Sequence, residues 1–165
     1  VVGVLGGQYI FKPPSDRFPE MPANEHVTMR MAASFGIRVV PSSLIRLSSG
    51  ELSYITRRVD RNDSGEKIHM IDMFQITEAV DKYKGSMEKV GKALNSYSSN
   101  TLLDKTFYFD IVLFSFLTGN NDMHLKNFSM IEIRSFKCGH RVSGRYRGIG
   151  IVISGKEEEV EAGTF

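Results

Sequence analysis

From Leu102 to Leu117 the chain is apolar on every side of the helix that its spacing predicts. Leu103, Phe107, Ile111 and Phe114 mark one stripe, and Phe109, Val112, Leu113 and Phe116 cover the other sides. A helix apolar all round is a buried helix, so the remaining elements must be packed around it. No apolar run reaches the length of about 20 residues that a membrane span needs. The 165 residues are enough for one domain with a core, and 41% apolar with 24% charged residues is ordinary for a globular chain. The net charge of +2 includes several arginines but no long basic tract, which argues against nucleic-acid binding as the main task. The single Cys138 has no internal disulfide partner, so a reducing cytoplasm is the default compartment.

Directly after the apolar segment comes Gly119-Asn120-Asn121-Asp122-Met123-His124-Leu125-Lys126-Asn127-Phe128-Ser129. It places a carboxylate, an imidazole, an ammonium and a second amide close together. Phosphoryl transfer uses such a set: an acid that accepts the attacking hydroxyl's proton, a cation beside the moving phosphate, and an amide that helps hold Mg²⁺. Asp122 and Asn127 stand at the Asp-x-x-x-x-Asn spacing of a kinase catalytic loop. A plain polar turn also explains that pair taken alone, because Asn and Asp favour turns.

Upstream, Gln8 to Lys12 predicts a strand ended by Pro13-Pro14. Residues 15–23 predict a loop. Asn24 predicts a helix N-cap with Glu25 in the first turn, and Gly36 predicts the stop. Leu44 to Leu47 and Leu52 to Thr56 predict a hairpin around Ser48-Ser49-Gly50-Glu51, followed by a turn at Asn62-Asp63-Ser64-Gly65. Helices are predicted over 68–80 and 86–94. His26, His69 and His140 have no partners at ligand spacing and are read as structural.

Together these segments resemble the HipA family, the toxin kinases of bacterial toxin–antitoxin systems. The matching pieces, in order, are Gly6 to Pro13, Asn24-Glu25, Gly36-Ile37 with Val39 and Pro41, Arg58 to Arg61, Ile71 to Gln75, and Asn121 to Ser129. The resemblance implies an α+β, protein-kinase-like two-lobe fold. Residues 1–61 would form a small N-lobe of antiparallel strands with one helix, and 62–132 an incomplete helical C-lobe. It further implies ATP- and Mg²⁺-dependent phosphorylation of serine or threonine on a protein, with aminoacyl-tRNA synthetases among the substrates. A DNA-binding antitoxin would be the partner, with no direct nucleic-acid contact and no membrane. On the same basis Lys12 touches the ATP phosphates, Glu25 pairs with it, and Arg57 to Val59 line the adenine pocket. Asp122 is the catalytic base, His124 and Lys126 shape the loop and the phosphate side, and Asn127 is the metal ligand. A small-molecule kinase on the same scaffold is a more distant alternative.

The abrupt start at Val1-Val2-Gly3 reads like the middle of a hairpin, and the chain is expected to be a fragment of a longer one. Residues 133–165 depart from the family pattern. The family continues with a segment like Ala-Tyr-Asp-Leu, whose Asp is the main Mg²⁺ ligand, whereas no Asp follows Asp122 here. The expectation is therefore a truncated chain with weak stability, exposed apolar surface and no turnover of its own. Read one base later, the tail can yield a Tyr-Asp-Leu segment. Lys156-Glu157-Glu158-Glu159 through Glu161 then becomes largely lysine and arginine, as in the family's continuation. We expect a frameshift after Glu132. Sequencing the coding DNA checks this: the shifted frame should stay open across the tail, and a stop codon early in it rules the frameshift out.

Overall fold

The computed structural model describes residues 2–4, 6–120, 122–132 and 149–151. Four antiparallel strands form the first sheet, in the order β1-β2-β4-β3. They are β1 (Val2–Val4), β2 (Tyr9–Lys12), β3 (Ser42–Arg46) and β4 (Leu52–Arg57). The β3–β4 hairpin closes through the Leu47 N–H to Glu51 and the Gly50 N–H to Leu47. Gly50 sits at φ +90, a region that only glycine adopts without strain.

Helix α1 (Met21–Ser34) lies against β3 and β4. It starts three residues before the predicted Asn24 cap, with Glu20 at the cap position and Pro22 in the first turn. Proline suits that turn: its missing N–H would have no helical partner there, and its φ is already helical. Asn24 is therefore interior, and its carbonyl accepts the Thr28 hydroxyl at 2.8 Å. The C-terminus is as read. Gly36 at φ +84 lets the Ile37 N–H reach Ala32 and the Gly36 N–H reach Ala33, satisfying two end carbonyls.

A second antiparallel sheet has the order β5-β6-β7, from β5 (Met70–Asp72), β6 (Phe128–Ile131) and β7 (Ile149–Ile151). This corrects the predicted helix over 68–80. Met70, Ile71 and Asp72 pair with Ile131, Met130 and Ser129, and only α2 (Met73–Ile76) is helical. A short apolar run reads equally as strand or helix, and here tertiary pairing decides. Asp72 then caps α2, accepting the Gln75 N–H at 2.8 Å while the Gln75 side chain accepts the Asp72 N–H. Helix α3 (Met87–Tyr97) opens on Ser86, whose Oγ accepts the Lys89 N–H, and buries Val90, Ala93 and Leu94. Of residues 133–165, only the backbone of β7 falls within the described residues.

Helix α4 (Thr101–Leu117) joins the two halves. Near its start the buried Asp104 accepts the Ser98 hydroxyl and sits where the helix dipole favours a negative charge. Tyr108 and Ile111 lie in one buried cluster with Met73, Val90, Leu94, Leu125, Phe128 and Met130. Phe114 lies in another with Met29, Ala32 and Tyr54, and Ile37 packs against both. Burial on every side does not hold for α4. Phe109 is 63% exposed and Phe116 81%, while Phe114 is 1% exposed. Phe114→Ala should therefore cost about 3–5 kcal/mol and Phe116→Ala no more than about 0.5 kcal/mol, measured by urea unfolding.

Candidate functional site

Strand β2 ends on Lys12, which stands opposite Tyr54 in the β2–β4 register. Helix α1 crosses the same sheet and brings Glu25 within reach. Lys12 Nζ donates to Glu25 Oε1 at 2.8 Å, and both side chains are buried. Tyr54 lies beneath the pair. Burial pushes its hydroxyl pKa above 10, the Ser42 hydroxyl draws it back, and the Glu25 charge adds to the rise. Proximity of an ammonium, a carboxylate and a phenol on one sheet face is the kind of arrangement that fixes a cation in place for an anionic ligand.

The crossover from β4 is held by charge. Arg58 donates through Nε and Nη2 to both oxygens of Asp60, at 2.7 and 2.6 Å, and Arg61 lies 3.9 Å from the same carboxylate. The Arg58 hydrogen bond holds the Asp60 carboxyl below its usual 3.8, against desolvation. The Arg58 N–H also donates to the Gln8 carbonyl, and the Ile68 N–H to the Asp60 carbonyl. Arg57 turns its guanidinium to the exposed Asp63, and Val59 is half-buried in the turn.

The loop after α4 forms a second group. Gly119 at φ +67 turns the chain, and Asn120 Oδ1 accepts the Asp122 N–H. Residues Leu125–Asn127 make one 3-10 turn before β6. Asn127 Nδ2 donates to the Asp122 carbonyl, which ties the two ends of the loop together. An amide committed through its nitrogen presents its oxygen as the acceptor. His124 Nε2 lies 3.7 Å from Asp122 Oδ1. Asp122 Oδ2 and His124 Nδ1 are buried without a hydrogen-bond partner among the described residues. Lys126 is exposed, with its ammonium 5.3 Å from the Phe74 ring centroid.

These residues thus form two groups: Lys12 with Glu25, and Asp122 with His124 and Asn127. They are joined through the core. Tyr54, opposite Lys12, shares its cluster with Phe114, and α4 runs from Phe114 into the loop. Reading the sequence missed Tyr54, Tyr83, Lys82 and Gly85. Tyr83 meets His124 edge-to-face at 5.3 Å, and Lys82 accepts the Leu125 N–H at 3.1 Å. These contacts span about 40 residues, and no local spacing announces them.

As a metal donor, Asn127 offers the oxygen type that Mg²⁺ prefers, with the Asp122 carboxylate on the same loop. Among the described residues no group of three or more His, Cys, Asp or Glu is arranged to hold a metal. The chain thus fits one side of a metal–nucleotide complex, with other positions left to phosphate oxygens and water. Among the described residues no helix is long and apolar enough to cross a membrane.

The profile of the HipA-like C-terminal domain matches residues 2–143. The chain belongs to that family. The match runs past Glu132 into the tail. Among curated relatives, a protein of Haemophilus influenzae named as a candidate kinase is 29% identical over 138 residues, 76% of this chain and 40% of the relative. The candidate kinase Y4dM of Sinorhizobium fredii is 31% identical over 140 residues, 76% of this chain and 34% of the relative. Among solved structures, Shewanella oneidensis HipA, from the toxin–antitoxin complex with HipB and operator DNA, superposes with a TM-score of 0.67 at 25% identity. That match covers 75% of this chain and 33% of the other. The Helicobacter pylori proinflammatory kinase CtkA superposes with a TM-score of 0.62 at 17% identity, over 84% of this chain and 48% of the other, and shows the shared fold alone. The chain therefore has the α+β fold of HipA-like kinases and spans between about a third and a half of the length of these proteins.

The Arg58–Asp60 pair gives a pH test. Because the folded carboxyl is lowered, its stabilisation is complete above the unfolded value and is lost as pH falls through the folded one. Arg58→Met should cost about 1–3 kcal/mol at neutral pH, and the gap from the parent chain should close as pH falls below about 4. Unfolding curves at a series of pH values read both.

Proposed function

We propose that this chain carries the phosphoryl-transfer site of a HipA-like serine/threonine protein kinase. The observation that supports it is the buried Lys12–Glu25 pair on one side of the shared core and the Asn127-braced Asp122 loop on the other. In this reading Lys12 holds phosphate oxygens of ATP, and Glu25 keeps its ammonium in place. Arg57 and Val59 border the adenine. Asp122 accepts the proton of a serine or threonine hydroxyl as the oxygen bonds to the γ-phosphorus and the bond to ADP breaks. His124 and Lys126 shape the loop beside it. Asn127 contributes an oxygen to Mg²⁺, which when bound neutralises phosphate charge. The resemblance to the family, together with the HipA complex that contains HipB, supports a DNA-binding antitoxin as partner and a protein, such as an aminoacyl-tRNA synthetase, as substrate in the cytoplasm.

A second reading has its own observation. No Asp follows Asp122 in the chain, and the described residues hold no three-ligand metal group. Mg²⁺ favours near-octahedral oxygen ligation with one or two carboxylates. On this reading the chain holds nucleotide without turning it over.

Labelled ATP with Mg²⁺ and a serine-rich acceptor protein separates the two. The kinase reading expects label on protein, reduced roughly 10²–10⁴-fold in Asp122→Asn. Lys12→Met should weaken ATP binding in both readings. Label that survives Asp122→Asn overturns transfer by this site, and ATP binding with no label in the parent chain establishes the second reading.

A further inference from the structure

The turn between α2 and α3 has no part in the reading above, yet it is built onto the catalytic-type loop. Helix α2 ends with the Ala79 N–H on Phe74, and Glu78 takes a φ of +48 that few side chains adopt. Asp81 Oδ1 then accepts the Tyr83 N–H at 2.9 Å, setting the turn. The Lys82 carbonyl accepts the Leu125 N–H, so one residue of the turn is hydrogen-bonded to the residue after His124. Gly85 faces the buried Leu125 so closely that a Cβ there would lie inside the Leu125 side chain. Turn and loop are thus held together at two points on either side of Tyr83.

Tyr83 uses that position. Its ring stands edge-to-face to His124, with centroids 5.3 Å apart and planes at 84°, although Tyr83 itself is 64% exposed. The His124 ring is buried, and hydrogen bonds do little to orient it. Its Nε2 stops 3.7 Å from Asp122 Oδ1, beyond hydrogen-bond length, and its Nδ1 has no partner among the described residues. Packing therefore sets the ring, and the exposed Tyr83 is an aromatic group packed against it. We infer that Tyr83 is a positioning residue: it fixes the His124 ring, which packs beside the Asp122 carboxylate with Nε2 3.7 Å from Oδ1. Its role in catalysis rests on the kinase reading; the coupling to His124 does not. The hydroxyl plays no part in the ring contact, so phenylalanine should replace it. Misplacing a reacting group by a fraction of an ångström slows transfer without weakening the binding of nucleotide.

The test uses the whole chain with labelled histidine. In ring-resolved NMR without nucleotide, Tyr83→Ala should move the His124 resonances, and Tyr83→Phe should leave them in place. In transfer from labelled ATP to dephosphorylated casein, Tyr83→Ala should lower kcat roughly tenfold to a hundredfold, with the ATP dissociation constant unchanged, and Tyr83→Phe should keep the parent rate. His124 resonances that ignore Tyr83→Ala overturn the coupling. Resonances that move while kcat holds overturn the positioning role. A parent chain that transfers no phosphate overturns the kinase reading and the catalytic role with it, and the NMR result then decides the coupling alone.

Discussion

Helix α4 serves two cores at once. Tyr108 and Ile111 complete the cluster around Leu94, Leu125 and Phe128, and Phe114 completes the one around Met29 and Tyr54. An α-helix advances 1.5 Å per residue, so Phe114 stands about 4.5 Å beyond Ile111 and about 9 Å beyond Tyr108 along one rigid rod and meets different neighbours. That rod fixes the first sheet relative to the second, and its C-terminus launches the Gly119–Asn127 loop. Phe35 adds an edge contact to Phe114 at 5.5 Å, and Arg38 lies over Phe107, so α1 and the segment after it also grip α4. The remaining apolar face, with Phe109, Leu113 and Phe116, faces outward among the described residues.

The parts of the fold that the sequence announces are those decided by near neighbours. Gly36 ends α1, Ser86 starts α3, Gly50 turns the hairpin, and the strongly apolar segment from Leu102 to Leu117 makes α4. Where two nearby signals compete, the plain one lost. Asn24 is a better cap by type than Glu20, but Pro22 presets the first turn two residues earlier. Met70 to Asp72 carry no strand signal that a helix would not also give, and only β6, far along the chain, selects the strand.

The candidate site divides the same way. Asp122 and Asn127 stood out by their spacing and Lys12 and Glu25 through the resemblance to the HipA family; the structure pairs Lys12 with Glu25 and ties Asn127 to the Asp122 carbonyl. The contacts that orient them were not legible. Arg58 and Asp60 are two apart, but the Gln8 carbonyl that anchors the crossover is fifty residues upstream. Tyr83 reads as one more surface aromatic until the fold places it on His124. A motif names the reacting groups; the support that gives them their geometry comes from wherever the fold happens to pass.

Lys12 and Glu25 are also hard to explain as stabilising devices. Removing two charges from water costs several kcal/mol per ion, and apolar side chains of similar volume would commonly fill such a site as well or better. Asp122 Oδ2 and His124 Nδ1 add two more buried polar atoms whose hydrogen bonds the described residues do not supply. Among the described residues such costs fall at the end of β2 with its facing helix and at the end of α4, two places that α4 and Tyr54 hold in one framework, and also at Asp60, Asp104, Ser53, Thr56 and Ser115. Polar groups kept at both places, where apolar side chains would commonly pack without that cost, support the proposed site for a charged ligand.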